Sequence, residues 1–294
     1  MNRRKFARTI AGAALGAAAL PSLPVVAAAT ENVPFKFSIM LWTVFKQLSF
    51  DQRLEKVAEA GYHAVELVSE FKGWSDEDFR KANAKKRSLG IVFDSTAGLT
   101  KGITDPSGRD AFLAELKTFF PIVAKLECPT IIVLSGNRVE GVSREAQHNA
   151  CVEALKPAAD FAAKENVTLL LENIDQEENP KYYLTSVAEG FEIVRKVDNP
   201  HMKFLYDFYH AQISEGNLIE KLEKNIDLVG LVHIADVPGR HQPGTGEINY
   251  SNIFRKLGEL NYGGYAAMEF MPTEDPVAVL SLAREQAIQV VTAR

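Results

Sequence analysis

The chain alternates short apolar segments with longer amphipathic segments, and it does so eight times. The apolar segments predict strands at residues 37–42, 63–68, 91–94, 130–134, 167–171, 202–206, 229–234 and 265–270. The segments between and after them predict helices at residues 50–60, 76–89, 109–127, 144–165, 186–197, 218–224, 250–260 and 275–291. Eight such units favour a closed (β/α)8 barrel, or TIM barrel, over an open doubly wound sheet. No GxGxxG motif follows the first predicted strand, which removes the main reason to prefer the open sheet.

The first 29 residues are typical of an export signal. Arg3 and Arg4 precede a run of Ala, Gly and Leu that ends in three alanines at 27–29. The alternative is a membrane-anchoring helix, but the run is short, weakly hydrophobic and interrupted by Pro21 and Pro24. We therefore predict a cleaved twin-arginine signal peptide over 1–29 and a barrel domain over 30–294. We also predict delivery to the periplasm by the twin-arginine export machinery, with no stable membrane anchor.

The net charge bears on the classes of partner, and the two cysteines bear on whether a disulfide forms. Removing residues 1–29 takes away four positive and no negative charges, so the formal net charge goes from -5 to -9. An acidic protein of this kind is a poor match for nucleic acid. The sequence leaves open whether Cys128 and Cys151 pair, and we predict two free, mostly buried thiols. A homo-oligomer is compatible with the sequence but is not predicted by it.

Four consecutive predicted strands end in residues that bind metals. Glu172 follows the fifth strand, Asp207 the sixth, His233 lies within the end of the seventh, and Glu269 ends the eighth. In a barrel these ends meet at one mouth, where three carboxylates and an imidazole would suit Mg²⁺, Mn²⁺, Co²⁺ or Zn²⁺. The alternative is a structural polar network. Burying three carboxylates together costs several kcal/mol per ion without a compensating cation, which favours the metal site.

Other polar residues near the predicted mouth are candidates for substrate binding. His210 stands at the start of a predicted loop after Asp207, where it could bond a substrate hydroxyl or simply be a surface histidine. Arg240 and His241 are suited to an anionic substrate group, because a guanidinium can grip a carboxylate with two parallel hydrogen bonds. Glu178 is a further candidate, although it could equally belong to a solvated loop.

Four segments together give the chain a family resemblance. They are LLENI at 170–174, YDFYHAQ at 206–212, HIADVPGRHQPGTGEINY at 233–250 and MEF at 268–270. In these segments the chain resembles the hydroxypyruvate isomerase family of xylose isomerase-like barrels, which stands beside the ketose 3-epimerases. The resemblance implies a divalent metal on Glu172, Asp207, His233 and Glu269, with the two glutamates as the acid/base pair. It also implies that His210 contacts the substrate.

Three local departures from the family bear on the substrate. The chain has ENID at 172–175 where the family usually has Glu-Pro-Ile-Asn, and its loop at 95–108 is shorter. His233 matches the epimerases, whereas hydroxypyruvate isomerases often have glutamine at that position. The substrate identity therefore stays open, while the metal chemistry is little affected.

The function expected from this resemblance is aldose–ketose isomerisation. The enzyme would move a carbonyl between adjacent carbons of a small hydroxy-carbonyl substrate by proton transfer through an enediolate, with hydroxypyruvate to tartronate semialdehyde as the first expectation. One alternative is a periplasmic epimerase or isomerase of a ketose or modified sugar. Another is a non-catalytic extracytoplasmic sugar-binding protein. A DNA-repair endonuclease on the same barrel is disfavoured by the net negative charge.

Overall fold

Eight parallel strands close into a barrel in the computed structural model, which describes residues 33–293. Each strand pairs with its neighbours in chain order, and the first strand pairs with the last. The strands are β1 (Lys36–Met40), β2 (Ala64–Leu67), β3 (Val92–Thr96), β4 (Thr130–Leu134), β5 (Thr168–Glu172), β6 (Met202–Asp207), β7 (Val229–Ile234) and β8 (Tyr265–Met268). The predicted TIM barrel is therefore confirmed, with every strand end within two residues of its predicted position.

The helices pack around the outside of the strands. They are α1 (Phe50–Glu59), α2 (Asp76–Ser88), α3 (Arg109–Leu126), α4 (Arg144–Lys164), α5 (Val187–Val197), α6 (Phe208–Ser214), α7 (Leu218–Asn225), α8 (Tyr250–Glu259) and α9 (Pro276–Thr292). Ser75 caps α2 in a reciprocal capping box with Asp78.

One element differs from the prediction, because α6 occupies a segment that the sequence predicted to begin a loop. Oδ1 of Asp207 accepts hydrogen bonds from the backbone N–H groups of Tyr209 (2.7 Å) and His210 (3.1 Å), and so caps this helix. Seven residues that follow a strand without a break are too few to show a helical period. His210 therefore lies in a buried helix and not in an exposed loop.

The barrel interior is filled in layers. One layer is apolar and consists of Met40, Ile132, Leu170, Leu205, Leu231 and Ala267. Two residues further along β5, β6, β7 and the β8 strand end, the inward positions become polar. Register places Asp207 beside His233 across the β6–β7 pair, and Leu134 beside Glu172 across the β4–β5 pair. The strands therefore aim the predicted ligands at the carboxyl-terminal mouth.

Two glycines hold the loop after β3 against the loop after β4. A Cβ added at Gly102 would lie 2.9 Å from the carbonyl oxygen of Ser135, and one at Gly136 would lie 2.8 Å from the Cα of Gly102. Contacts this short leave no room for a side chain. The 95–108 loop is therefore fixed by backbone packing beside the mouth.

Cys128 and Cys151 are both free and buried, as predicted. Burial raises the pKa of the Cys151 thiol to about 12, so it stays protonated at neutral pH. No helix within residues 33–293 is both long enough and apolar enough to cross a bilayer. The predicted signal peptide, residues 1–29, lies outside the described residues.

Candidate active site

The four predicted ligand side chains come together at the mouth of the barrel. Glu172 ends β5, Asp207 ends β6, His233 lies in β7, and Glu269 directly follows β8. Each offers one ligand atom, and these atoms all lie within 4.8 Å of one another. All four side chains are buried.

The contacts inside this cluster lie within a few tenths of an ångström of the spacing around one metal ion. Nδ1 of His233 lies 2.7 Å from Oε2 of Glu269, 3.5 Å from Oε1 of Glu172 and 3.8 Å from Oδ2 of Asp207. Ligand atoms about 2.1 Å from one divalent ion lie roughly 3.0–3.4 Å from each other. Within the described chain, Nδ1 of His233, Oδ2 of Asp207 and Oε2 of Glu269 are buried without a hydrogen-bond partner. Such atoms, converging on one point, fit a divalent cation.

Two residues that were not predicted as site residues hold the cluster from behind. Nε2 of His233 lies 3.1 Å from Oε2 of Glu66, which is buried in β2. Burial raises the pKa of the Glu66 carboxyl, although His233 opposes the shift. Trp42, just after β1, donates a hydrogen bond from Nε1 to Oε1 of Glu269 at 2.9 Å. The only sequence signal for Glu66 was a carboxylate inside an apolar strand.

The two candidate catalytic glutamates have different electrostatic surroundings. Burial raises the pKa of the Glu172 carboxyl. Burial acts in the same direction on Glu269, but the charges of Arg240 and His233 outweigh it and lower the pKa of Glu269 to about 2. Environments that push two carboxyl pKa values apart are typical of acid/base pairs.

Arg240 is buried and engaged by carboxylates. Its Nη1 lies 2.8 Å from both carboxylate oxygens of Glu178, and its Nη2 lies 2.7 Å from Oε2 of Glu269. The guanidinium carbon stands 4.9 Å from the centre of the Tyr209 ring. The structure thus brings Arg240 and Glu178 to the cluster.

His210 is buried in the same group, and the surface alternative is excluded. Its Nδ1 lies 2.6 Å from Oδ2 of Asp175, and its Nε2 lies 3.4 Å from Oδ2 of Asp207. Burial lowers the pKa of His210, but the charge of Asp207 and the bond to Asp175 outweigh it and raise the pKa to about 9. Asp175, not predicted as a site residue, also accepts hydrogen bonds from the backbone N–H of Glu178 (2.9 Å).

The structure does not bring His241 into this group. Its Nδ1 lies 2.8 Å from the carbonyl oxygen of Met271, at the rim of the mouth. The loop that carries His241 and Arg240 is held by Asp236, whose carboxylate accepts hydrogen bonds from the backbone N–H groups of Val237, Gly244, Gly246 and Ile248. The loop is therefore a fixed frame for Arg240.

The fold and the site together define an α/β barrel with a carboxylate–imidazole centre at its carboxyl-terminal mouth. Residues 54–287 match the family model of xylose isomerase-like TIM barrels, and the chain belongs to this family. The predicted resemblance is thereby confirmed.

The relatives define the activity class. The chain is 33% identical to the 2-oxo-tetronate isomerase of Haemophilus influenzae, over 83% of this chain and 96% of the relative. It is 30% identical to the hydroxypyruvate isomerase of Escherichia coli, over 81% of this chain and 93% of the relative. Among solved structures, the crystal structure of AP endonuclease, family 2 from Brucella melitensis superposes with a TM-score of 0.77 at 27% identity, over 85% of this chain and 98% of that chain. The protein is an isomerase of the sugar type.

Proposed function

We propose that the protein is a metal-dependent isomerase that moves a carbonyl between adjacent carbons of a small hydroxy-carbonyl compound. The first candidate reaction converts hydroxypyruvate to tartronate semialdehyde. The observation that carries the proposal is the convergence of three buried carboxylates and His233 on one point. Among the described residues, the ligand atoms of Asp207, His233 and Glu269 have no hydrogen-bond partner, although that of Glu269 is ion-paired with Arg240. Relatives named as isomerases of 2-oxo-tetronate and hydroxypyruvate support it.

Glu172, Asp207, His233 and Glu269 would hold the metal ion, and their oxygen and nitrogen donors suit Mg²⁺, Mn²⁺, Co²⁺ or Zn²⁺. When bound, such an ion supplies Lewis acidity to the carbonyl and adjacent hydroxyl oxygens of the substrate.

Glu172 and Glu269 carry the proton transfer in this proposal. One carboxylate removes a proton from the hydroxyl-bearing carbon, which leaves an enediolate. The other glutamate, or the same one, returns a proton to the neighbouring carbon, and the hydroxyl proton moves to the former carbonyl oxygen. Trp42 and Arg240 both contact the Glu269 carboxylate and fix its orientation.

Arg240, Glu178 and His210 form the substrate-binding group in this proposal. The side chain of Glu178 is 40% exposed, whereas that of Arg240 is 7% exposed. Glu178 can therefore swing toward solvent while Arg240 stays in place and takes a substrate carboxylate with two hydrogen bonds. Nε2 of His210 is 3.5 Å from Nη1 of Arg240, so both can reach one substrate oxygen. His241 lies at the rim of the mouth, so a role for it in substrate binding has the weakest support among these residues.

A second candidate function is epimerisation or isomerisation of a ketose or a modified sugar. An imidazole ligand at position 233 and the predicted export signal both favour it, because hydroxypyruvate is a cytoplasmic metabolite. A non-catalytic sugar-binding protein is disfavoured, since binding alone does not require both Glu172 and Glu269 in the cluster.

Proton NMR of metal-loaded protein in D₂O with a panel of substrates tests these alternatives. The panel contains hydroxypyruvate, 2-oxo-tetronate, several ketoses and several oxidised sugars. The compound that exchanges a carbon-bound hydrogen for deuterium and yields product fastest is the substrate class. Exchange with none of them, by protein shown to contain metal, would favour the sugar-binding alternative.

We also propose that the protein acts in the periplasm after twin-arginine export. Replacing Arg3 and Arg4 together by lysine is expected to retain the precursor in the cytoplasm of a bacterium that has this pathway. Cell fractionation followed by immunoblotting measures the result. Undiminished periplasmic protein from the double variant would contradict the export proposal without affecting the proposed chemistry.

A further inference from the structure

We propose that Glu66 is a positioning residue for the metal centre, which it serves by accepting the Nε2–H of His233 and so presenting Nδ1 to the metal. The inference rests on the proposed function for the metal centre itself. It assigns a role to a residue on β2, across the barrel from the β7 strand that carries His233.

The geometry of His233 leaves its two ring nitrogens with separate environments. Nδ1 faces the carboxylates of Glu172, Asp207 and Glu269, at 2.7 to 3.8 Å. Nε2 faces Glu66, at 3.1 Å. A neutral imidazole has one N–H and one ring nitrogen with a free lone pair. Because the Glu66 carboxylate accepts a hydrogen bond from the N–H on Nε2, the free lone pair lies on Nδ1. A metal-binding histidine commonly depends on such an acceptor for its tautomer and its ring orientation.

The position of Glu66 is difficult to explain by packing alone. It pairs in register with Met40, which belongs to the apolar layer of the barrel interior, and it is fully buried. An apolar side chain would fill this position without the loss of solvation that a buried carboxyl suffers. Within the described chain, Oε1 of Glu66 has no hydrogen-bond partner, so the bond through Oε2 to His233 is the one polar contact that compensates.

Asp94 provides a matched control for a buried carboxyl in the same barrel. It is also buried, and it accepts a hydrogen bond from Oγ of Ser38 at 2.6 Å. No hydrogen bond described in the structure joins it to one of the four ligands. Asp94→Asn therefore removes an interior carboxyl close to Glu66 while leaving the hydrogen bond between Glu66 and His233 in place.

Metal affinity separates a positioning role from a purely structural one. Metal-free wild-type protein, Glu66→Gln, Glu66→Met and Asp94→Asn are titrated with Co²⁺, and binding is followed by calorimetry and by the visible spectrum of the bound ion. We expect Glu66→Met to weaken Co²⁺ binding by about 10- to 100-fold, because the ring loses its acceptor. Glu66→Gln keeps a carbonyl acceptor and should lose less, by roughly threefold to tenfold. Asp94→Asn should stay within about threefold of wild type.

A measurement on the unmutated protein keeps the inference testable if Glu66→Met does not fold. Long-range ¹H–¹⁵N correlation spectra of Zn²⁺-loaded wild type are expected to show His233 with a proton on Nε2 and none on Nδ1. The signals are assigned by their absence from a His233→Gln variant. A proton on Nδ1 instead would overturn the inference.

Two further outcomes separate this inference from the proposed function. If both Glu66 variants bind Co²⁺ with an affinity within about twofold of wild type, the role of Glu66 is overturned and the proposed metal centre is left intact. Failure of the wild type to bind Co²⁺, Zn²⁺, Mn²⁺ or Mg²⁺ would overturn both.

Discussion

Replacing Glu172 or Glu269 by glutamine is expected to lower kcat by about 10²- to 10⁴-fold, the contribution typical of general acid/base catalysis. Glutamine has nearly the size of glutamate but cannot accept a proton from carbon at neutral pH. Both side chains are buried at the mouth, next to His233, and neither belongs to the apolar core. The variants should therefore fold, with circular dichroism spectra like that of wild type.

The measurement is a steady-state rate at saturating substrate and saturating metal. Metal analysis must accompany it, because both glutamates are also candidate ligands and a lost ion would mimic a lost base. Glu177→Gln is the matched control, since Glu177 lies on the same loop as Glu178 with its side chain exposed. The control should keep wild-type kcat. Wild-type activity in purified Glu172→Gln or Glu269→Gln would contradict the assignment of that residue.

Removing bound metal with a chelator is expected to abolish activity and to lower thermal stability. The reason is electrostatic: without a cation, the carboxylates of Glu172, Asp207 and Glu269 are buried together, and His210, His233 and Arg240 offset only part of the cost of burying their charge. An ion present at 100 times its Kd stabilises the folded state by about 2.7 kcal/mol. For a domain of this size that corresponds to a rise in Tm of roughly 5–10 °C.

Differential scanning calorimetry of metal-free and reconstituted protein measures the stability effect, and activity is assayed in the same samples. Addition of the divalent ion should restore both activity and Tm. Asp207→Asn provides a control. Because this variant lacks one of the four candidate ligands, addition of the divalent ion should raise its Tm by less than it raises that of the wild type. Full activity in protein that contains no metal by elemental analysis would contradict a metal-dependent mechanism.

The strand ends could be predicted from the sequence because a parallel barrel converts order along the chain into position at the mouth. Glu172, Asp207, His233 and Glu269 each follow an apolar segment, and the fold needs nothing else to bring them together. The general fold followed from the same alternation of apolar segments. Strand bounds moved by at most two residues, at the ends of β1, β3 and β8, and by one residue where Glu172 and Asp207 extend their strands.

Contacts across the barrel could not be predicted in this way. Glu66 meets His233 only because β2 and β7 face each other across the interior, which depends on the stagger of the whole barrel. The pairing of Asp175 with His210 required the helix α6, whose seven residues have no readable period. The engagement of Arg240 by Glu178 joins two loops whose courses the sequence does not define.

The loop after β7 brings only one of its two candidate substrate-binding residues into the site. Its glycines and Asp236 do hold a fixed shape, since a Cβ at Gly246 would lie 1.9 Å from the carbonyl oxygen of Val237. The loop presents Arg240 to the site but leaves His241 at the rim. Neighbouring residues on one loop thus differ in their access to the site.

Incorporation of solvent deuterium tests the proposed chemistry most directly. Metal-loaded enzyme converts its substrate in D₂O, and product and recovered substrate are examined by NMR and mass spectrometry. Proton transfer by Glu172 and Glu269 predicts deuterium on the carbon that receives the proton, and loss of this label in the glutamine variants. A product that keeps the original hydrogen, with no deuterium from solvent in either compound, would indicate direct hydride transfer and contradict the proposed mechanism.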